Sequence, residues 1–359
     1  MFLINTQKLE DYRKHKLKKS DTIESVAQEL GITILELTGF HNIYCTNNDT
    51  IGYELPSHLE ELYVYPHIRE FKKKEHPKVH FTIGNTLVYK PNYKKFNYGV
   101  MYTIWSGDIL NTIKQQTSVV CKQQTKEGFL FEIDRMSKTF VNDLECNLIA
   151  DELAEKVAKV IYPLTILVSN EGRYIDIVNF EKIQKRWKIT YAEILEEYEG
   201  DWVEKYLALS QQTLKYKNVF RQSLAKDWFL CSYFSGLFVN FSDKFVHKNS
   251  IFFPLLPNIG NLEFAITQKI DPYLEDKKFV NIEQNGILID PRAKADFENG
   301  SNFPDIALQN PNAQKTTGDF NAKYVLDTKT HDIESVVLTC SIALDVPHKI
   351  QVTISKLNN

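Results

Sequence analysis

Four carboxylates crowd one stretch of this chain: Glu193, Glu196, Glu197 and Glu199. Paired carboxylates are what glycoside hydrolysis needs, one as acid and one as base or nucleophile. Leu195 and Tyr198 lie between them, so the pattern is that of a solvated helix face. The nine histidines are His15, His41, His58, His67, His76, His80, His247, His331 and His348, and none sits in an HExxH pair. His76 and His80 are four apart, but Pro77 between them denies a shared helical face. Ser232 and Ser235 stand in an apolar helix without a Gly-x-Ser-x-Gly elbow and read as packing residues. The five cysteines, Cys45, Cys121, Cys146, Cys231 and Cys340, are far apart and form no CxxC pair. Neither a disulfide framework nor a zinc site is expected, and a reducing compartment suits them. Cys146 and Cys231 lie in apolar company and read as buried, inert thiols. No glycine-rich phosphate loop occurs. The residue types therefore point to no catalytic group, no metal ligand and no cofactor.

The chain has 359 residues, enough for two domains. Its 43% hydrophobic content excludes disorder as the main state. The net charge of −3 argues against a general nucleic-acid binder, which carries a positive excess. The start, Met1-Phe2-Leu3-Ile4-Asn5, has the wrong order for a signal peptide, and Glu10 and Asp11 follow at once. The most apolar stretch, Trp228 to Val239, falls short of the roughly 20 residues of a membrane span. The expectation is a cytoplasmic protein, with any export left to other machinery.

Three regions follow: a small unit at 1–66, a charged connector at 67–79 containing Lys72-Lys73-Lys74, and a large unit at 80–359. From Val79 to Asp143 period-2 alternation predicts long antiparallel strands, the first over Phe81, Ile83, Leu87 and Tyr89. A helix is predicted from Leu144 to Val160, then a hairpin around Ser169-Asn170-Glu171-Gly172. Residues 180–240 read as helical, ending in an all-round apolar helix from Asp227 to Phe238. Strands return at 262–268 and 279–288. A loop spans 291–319, and strands at 322–327, 334–345 and 348–357 close the chain. Strands, then a helical layer over about 144–240, then strands again argue for α+β. The large unit is expected to be a large curved antiparallel β-sheet with helices packed on one face.

Residues 15–64 carry a denser pattern. A short strand pattern, His15 to Lys19, precedes Ser20-Asp21-Thr22-Ile23. Ile23, Val26, Ala27 and Leu30 then share a helical face that Gly31 ends. Ser20 or Asp21 is the expected cap, with Glu24 completing a capping box on Asp21. Thr33 caps a second helix through Leu35-Glu36-Leu37, and Leu62-Tyr63-Val64 reads as a second strand. This βααβ pattern resembles a LysM module: Asp21-Thr22-Ile23, Val26-Ala27, Leu30-Gly31-Ile32-Thr33 and Leu35-Glu36-Leu37 match the family's motifs over about a seventh of the chain. The resemblance implies a groove for N-acetylglucosamine glycans, lined by Ser20, Asp21, Thr22 and Ile23 from the first loop and Asn42 and Ile43 from the second. Ser20 replaces the usual glycine, His41 the usual aromatic, and Leu55-Pro56-Ser57-His58-Leu59 the usual turn.

LysM-like modules also accompany contractile, type VI-like secretion systems, where they dock on spike, baseplate or effector cargo. With its altered groove, the chain reads as a non-enzymatic adaptor docking through its small unit on such a protein partner. The large unit would hold cargo or an apolar ligand in a cradle of Trp228, Phe229, Phe234, Phe252 and Phe253. The alternatives are a peptidoglycan-binding protein and an unrecognised glycan hydrolase or toxin.

Overall fold

The structure is a computed structural model that describes residues 12–46, 48–52, 54–64, 78–145, 148–274 and 279–357. The connector expected at 67–79, except its last two residues, lies outside the described residues. So do Cys146 and the N-terminal stretch used to judge a signal peptide. The chain divides into two compact units, Met1–His76 and Pro77–Asn359.

The small unit runs β1 (Arg13–Lys16), α1 (Ile23–Leu30), α2 (Ile34–Tyr44), β2 (Glu61–Val64). The two strands pair antiparallel, Arg13 opposite Val64 and Lys16 opposite Glu61. The cap of α1 differs from the expectation. Thr22, not Ser20 or Asp21, takes that place, accepting from Ser25 N, while Ser25 Oγ accepts from Thr22 N. Asp21 instead accepts from Lys18 N at 2.8 Å and shapes the preceding turn. Gly31 stops α1 in the left-handed region at φ 68°, where a Cβ would be strained. Thr33 and Glu36 box the start of α2. Ile23, Val26, Ala27, Leu30, Leu37, Ile51, Leu62 and Val64 form a separate small core.

The large unit begins with irregular chain. The strand expected over Phe81 to Tyr89 is absent, because Gly84 (φ 69°) and Asn85 (φ 58°) turn the backbone through the left-handed region. Then come β3 (Lys95–Ser106), β4 (Ile109–Gln124), β5 (Phe129–Arg135), β6 (Phe140–Val141) and β7 (Leu144–Glu145). After α3 (Ile149–Ile161), β8 (Leu164–Val168) and β9 (Tyr174–Ile177) form the predicted hairpin. The expected helix thus starts five residues late, since Leu144 pairs with Val141 in a small hairpin. The helical layer holds α4 (Phe180–Glu197), α5 (Asp201–Lys215), α6 (Lys217–Leu224) and α7 (Trp228–Tyr233). The last of these is shorter than predicted: the backbone leaves helical geometry at Phe234, and Gly236 follows at φ 84°. A strand the sequence reading missed, β10 (Val246–Phe253), precedes β11 (Leu262–Ile270) and β12 (Phe279–Leu288). The loop at 291–319 contains α8 (Lys294–Glu298) and α9 (Asp305–Gln309). Then β13 (Gly318–Asp327), β14 (Ile333–Ile342) and β15 (His348–Lys356) follow.

All this is one antiparallel sheet in the order β10-β11-β12-β13-β14-β15-β3-β4-β5-β8-β9, with β6 and β7 attached beside β4. The last strand, β15, pairs with the first, β3, and so joins two meanders. In β13 every second residue is buried, so one face is core and the other meets solvent. The helices pack on the core face: α7 lies against β14 and β15. Tyr233 Oη donates to Tyr98 Oη at 3.0 Å, and Tyr324 Oη donates to Ser232 O at 3.1 Å. The protein is therefore α+β with a large antiparallel sheet, as the element order implied.

Candidate functional site

In the small unit the six expected groove residues have distinct duties. Ser20 is exposed, Asp21 shapes its turn, and Thr22 caps α1. Ile23 is 2% exposed and belongs to the core. Asn42 is a clamp: its Nδ2 donates to Ile51 O and its Oδ1 accepts from Ile51 N, both at 2.9 Å. That double bond ties the long second loop to α2. Beside it, fully buried His41 accepts from Tyr63 N at Nδ1 (2.9 Å), and its Nε2 lies 3.0 Å from Asp49 O. A main-chain N–H requires an acceptor at Nδ1, so the proton sits on Nε2 and the ring is neutral. Burial pushes the His41 pKa down. Ile43 is 74% exposed, and with Leu35 and Gly39 it forms an exposed stripe at i, i+4 and i+8 of α2.

In the large unit the five cradle residues separate. Phe229 is buried in the core. Trp228 donates its Nε1–H to Pro254 O at 2.6 Å and faces a cleft of about 530 Å³ with Tyr102, Arg135, Glu155 and Asp227. There Asp227 caps α7 by accepting from Leu230 N at 2.8 Å, and burial raises its pKa. Arg135 lies 5.3 Å from the Tyr162 ring centroid. Phe234, Phe252 and Phe253 line a second cleft, of about 240 Å³.

This second cleft is where the two ends of the sheet order meet. Tyr174 comes from β9, Ile251, Phe252 and Phe253 from β10, and Leu230, Cys231 and Phe234 from α7 and its end. The two edge strands thus flank one opening, with α7 beneath it. Gly236 helps set its wall: a Cβ there would lie 2.7 Å from Arg173 Nε, besides the strain of its positive φ. Arg173 forms an isolated antiparallel bridge with Ser235.

The polar atoms of this cleft distinguish it. Tyr174 Oη and Asn261 Oδ1 are shut off from solvent and have no hydrogen-bond partner among the described residues. Ser235 Oγ has the Tyr324 phenol as its neighbour, and that phenol donates to Ser232 O. Asn261 Nδ2 donates to Ala225 O at 3.3 Å, which fixes which end of its amide is the carbonyl. Cys231 Sγ also donates to Ala225 O, at 3.3 Å, and burial pushes its thiol pKa up. A buried polar atom without a partner costs about 1–3 kcal/mol, and two such atoms belong to residues that line this largely apolar cleft. Sequence reasoning found the aromatic wall but missed Arg173, Tyr174, Ser235 and Asn261. Ser235 reads in sequence as a packing residue, and Arg173, Tyr174 and Asn261 join it only in the fold.

The carboxylates Glu193, Glu196, Glu197 and Glu199 are all exposed, and Glu197 pairs with Lys156. Among the described residues no group of three His, Cys, Asp or Glu could hold a metal ion. Among them, too, no helix is long and apolar enough to cross a membrane. No family model matches the chain, and no curated protein matches it.

Proposed function

We propose that this chain is a non-enzymatic binding protein of two parts. The large unit holds a group with an apolar body and a polar tip in the cleft between β9 and β10. The small unit is a LysM-like module that docks the chain on a protein partner, such as the spike, baseplate or cargo of a contractile, type VI-like system. The observation that carries this reading is that Tyr174 and Asn261, which line a largely apolar cleft, hold buried oxygens without a partner among the described residues. The docking part draws support from the exposed Leu35–Gly39–Ile43 stripe and from Thr22 and Asn42, whose side chains serve the fold.

Benzamide carries an apolar ring, an N–H donor and a carbonyl acceptor, and it tests the cleft. Ligand-observed NMR titration should show saturable binding at about millimolar concentration, the level expected of so small a ligand. Toluene, without the amide, should bind more weakly, and Tyr174→Phe should lower benzamide affinity several-fold. Equal binding of both compounds, or none, refutes the cleft reading.

Glycan binding is the second reading, favoured by the βααβ frame itself. Retention on insoluble peptidoglycan, lost in the exposed-site variant Ile43→Glu, would select it. No retention, with α1 and α2 still protected from hydrogen exchange, would favour a protein partner.

A further inference from the structure

Among the described residues, the strand beside the cleft has an open edge. Ile270, the last residue of β11, donates its N–H to Phe245 O at 3.1 Å, so a hydrogen-bonded position lies just before β10. Such positions recur at every second residue of an antiparallel ladder. By register, the next ones are His247–Gln268, Asn249–Ile266, Ile251–Phe264 and Phe253–Leu262. The residues between them turn their N–H and C=O away from β11. Val246 confirms this, since its outward carbonyl accepts from Ser242 N at 3.0 Å. Lys248, Ser250 and Phe252 follow. They lie on the first strand of the sheet order, and no main-chain bond from another described residue reaches their outer side.

The open stretch has defined ends. At one, His247 Nδ1 lies 3.1 Å from Asn240 O, and at the other Trp228 bonds Pro254 O. Lys248 to Phe252 spans about 13 Å, at about 3.3 Å per residue, enough for a short extended segment. The charge there is positive by one: the strand and the turn before it carry Lys244 and Lys248 against Asp243. Glu263 stands opposite Phe252 at the far end. Phe252 is 60% exposed and offers an apolar shelf.

We propose that β10 is a docking edge for an extended, acidic segment of a partner protein, which adds as a further strand and sends one carboxamide side chain into the cleft. The proposal rests on the cleft reading and names its occupant. Main-chain pairing at Lys248, Ser250 and Phe252 supplies the register, and the cleft supplies the selection. Side chains alternate along an added strand, so one points inward beside Ile251 and Phe253 while its neighbours point outward. The inward one enters the cleft lined by Tyr174 and Asn261, whose Oη and Oδ1 lack a partner among the described residues. A Gln or Asn side chain offers both the N–H that Asn261 Oδ1 lacks and a carbonyl for a hydroxyl donor, whereas a carboxylate has no N–H for Asn261. An outward carboxylate near Lys248, away from Glu263, sets the direction.

The test is selection of a displayed library of random short peptides on the full chain, followed by titration of the recovered sequences. Ser250→Pro removes an outward N–H that the β10–β11 ladder does not use, and proline is tolerated on an edge. Recovered peptides should carry a carboxamide and a carboxylate, and should lose at least about tenfold in affinity, about 1.4 kcal/mol, to Ser250→Pro. Lys248→Glu, which leaves the main chain alone, should switch the preference from acidic to basic peptides. Tyr174→Phe should relax the demand for the carboxamide. Peptides that bind wild type and Ser250→Pro equally, or the recovery of none above the Ser250→Pro background, overturn the proposal. Benzamide binding separates the failures: if it persists while strand dependence is absent, the edge is wrong and the cleft stands. If both are absent, both readings fall.

Discussion

At the scale of single residues, two side chains in the small unit hold the second loop. Asn42 meets both main-chain groups of Ile51, as a neighbouring strand would. Asn42→Ala leaves those groups without their partners and should cost about 1–3 kcal/mol, read as faster hydrogen exchange in α1 and α2. His41 adds a pH dependence. Its folded pKa is lowered by burial, and Nδ1 already accepts from Tyr63 N, so protonation opposes the fold. The unfolded chain therefore binds the extra proton first. The stability His41 contributes is intact above its unfolded pKa of about 6.5 and is lost progressively as pH falls below it. The His41 ring resonance should not titrate near that value, and protection of α1 and α2 should decline as acid is added. Normal titration with unchanged protection would show the ring to be solvated. His331 in the large unit, buried with its Nδ1 2.6 Å from Val88 O, is shifted the same way by burial.

At the scale of elements, what was legible followed periodicity and punctuation. The alternating strands β12, β13 and β15 lie where apolar residues recur at every second position, and α1 lies where Ile23, Val26, Ala27 and Leu30 repeat. The misses have local causes. Ser25 supplied a capping box as well as Glu24 could have, so the cap moved one residue to Thr22. Gly84 and Asn85 broke an alternation that looked like a strand. The most consequential miss was β10, whose Val246-His247-Lys248-Asn249-Ser250 start is polar because it is an edge with one face in water. The cleft was half legible for the same reason: Phe234, Phe252 and Phe253 show as aromatics in sequence, while Tyr174, Ser235 and Asn261 gain meaning only when two edge strands meet. The caps give a further prediction. Thr22→Ala and Thr33→Ala should each destabilise the small unit by about 1 kcal/mol, measured by hydrogen exchange in α1 and α2. A change within error would mean the capping bonds are replaced by water at no cost.

At the scale of the whole molecule, the two units have separate cores, one of eight small-unit residues and one running through the large sheet and its helices. Each should therefore unfold on its own. All four tryptophans, Trp105, Trp187, Trp202 and Trp228, lie in the large unit, so tryptophan fluorescence should report its transition alone. Exchange at α1 and α2 should report the other. Coincident transitions under every condition would show the two to be coupled. The same division separates the proposed roles: Ile43→Glu should alter docking and leave benzamide binding unchanged, and Tyr174→Phe should do the reverse.

The most direct test of the central claim is a crystal structure of the chain with benzamide. The account predicts the ring against Phe234 and Phe253, and the amide within hydrogen-bond reach of Tyr174 Oη and Asn261 Oδ1. Benzamide bound elsewhere, or in the cleft with its amide turned to solvent, would contradict it.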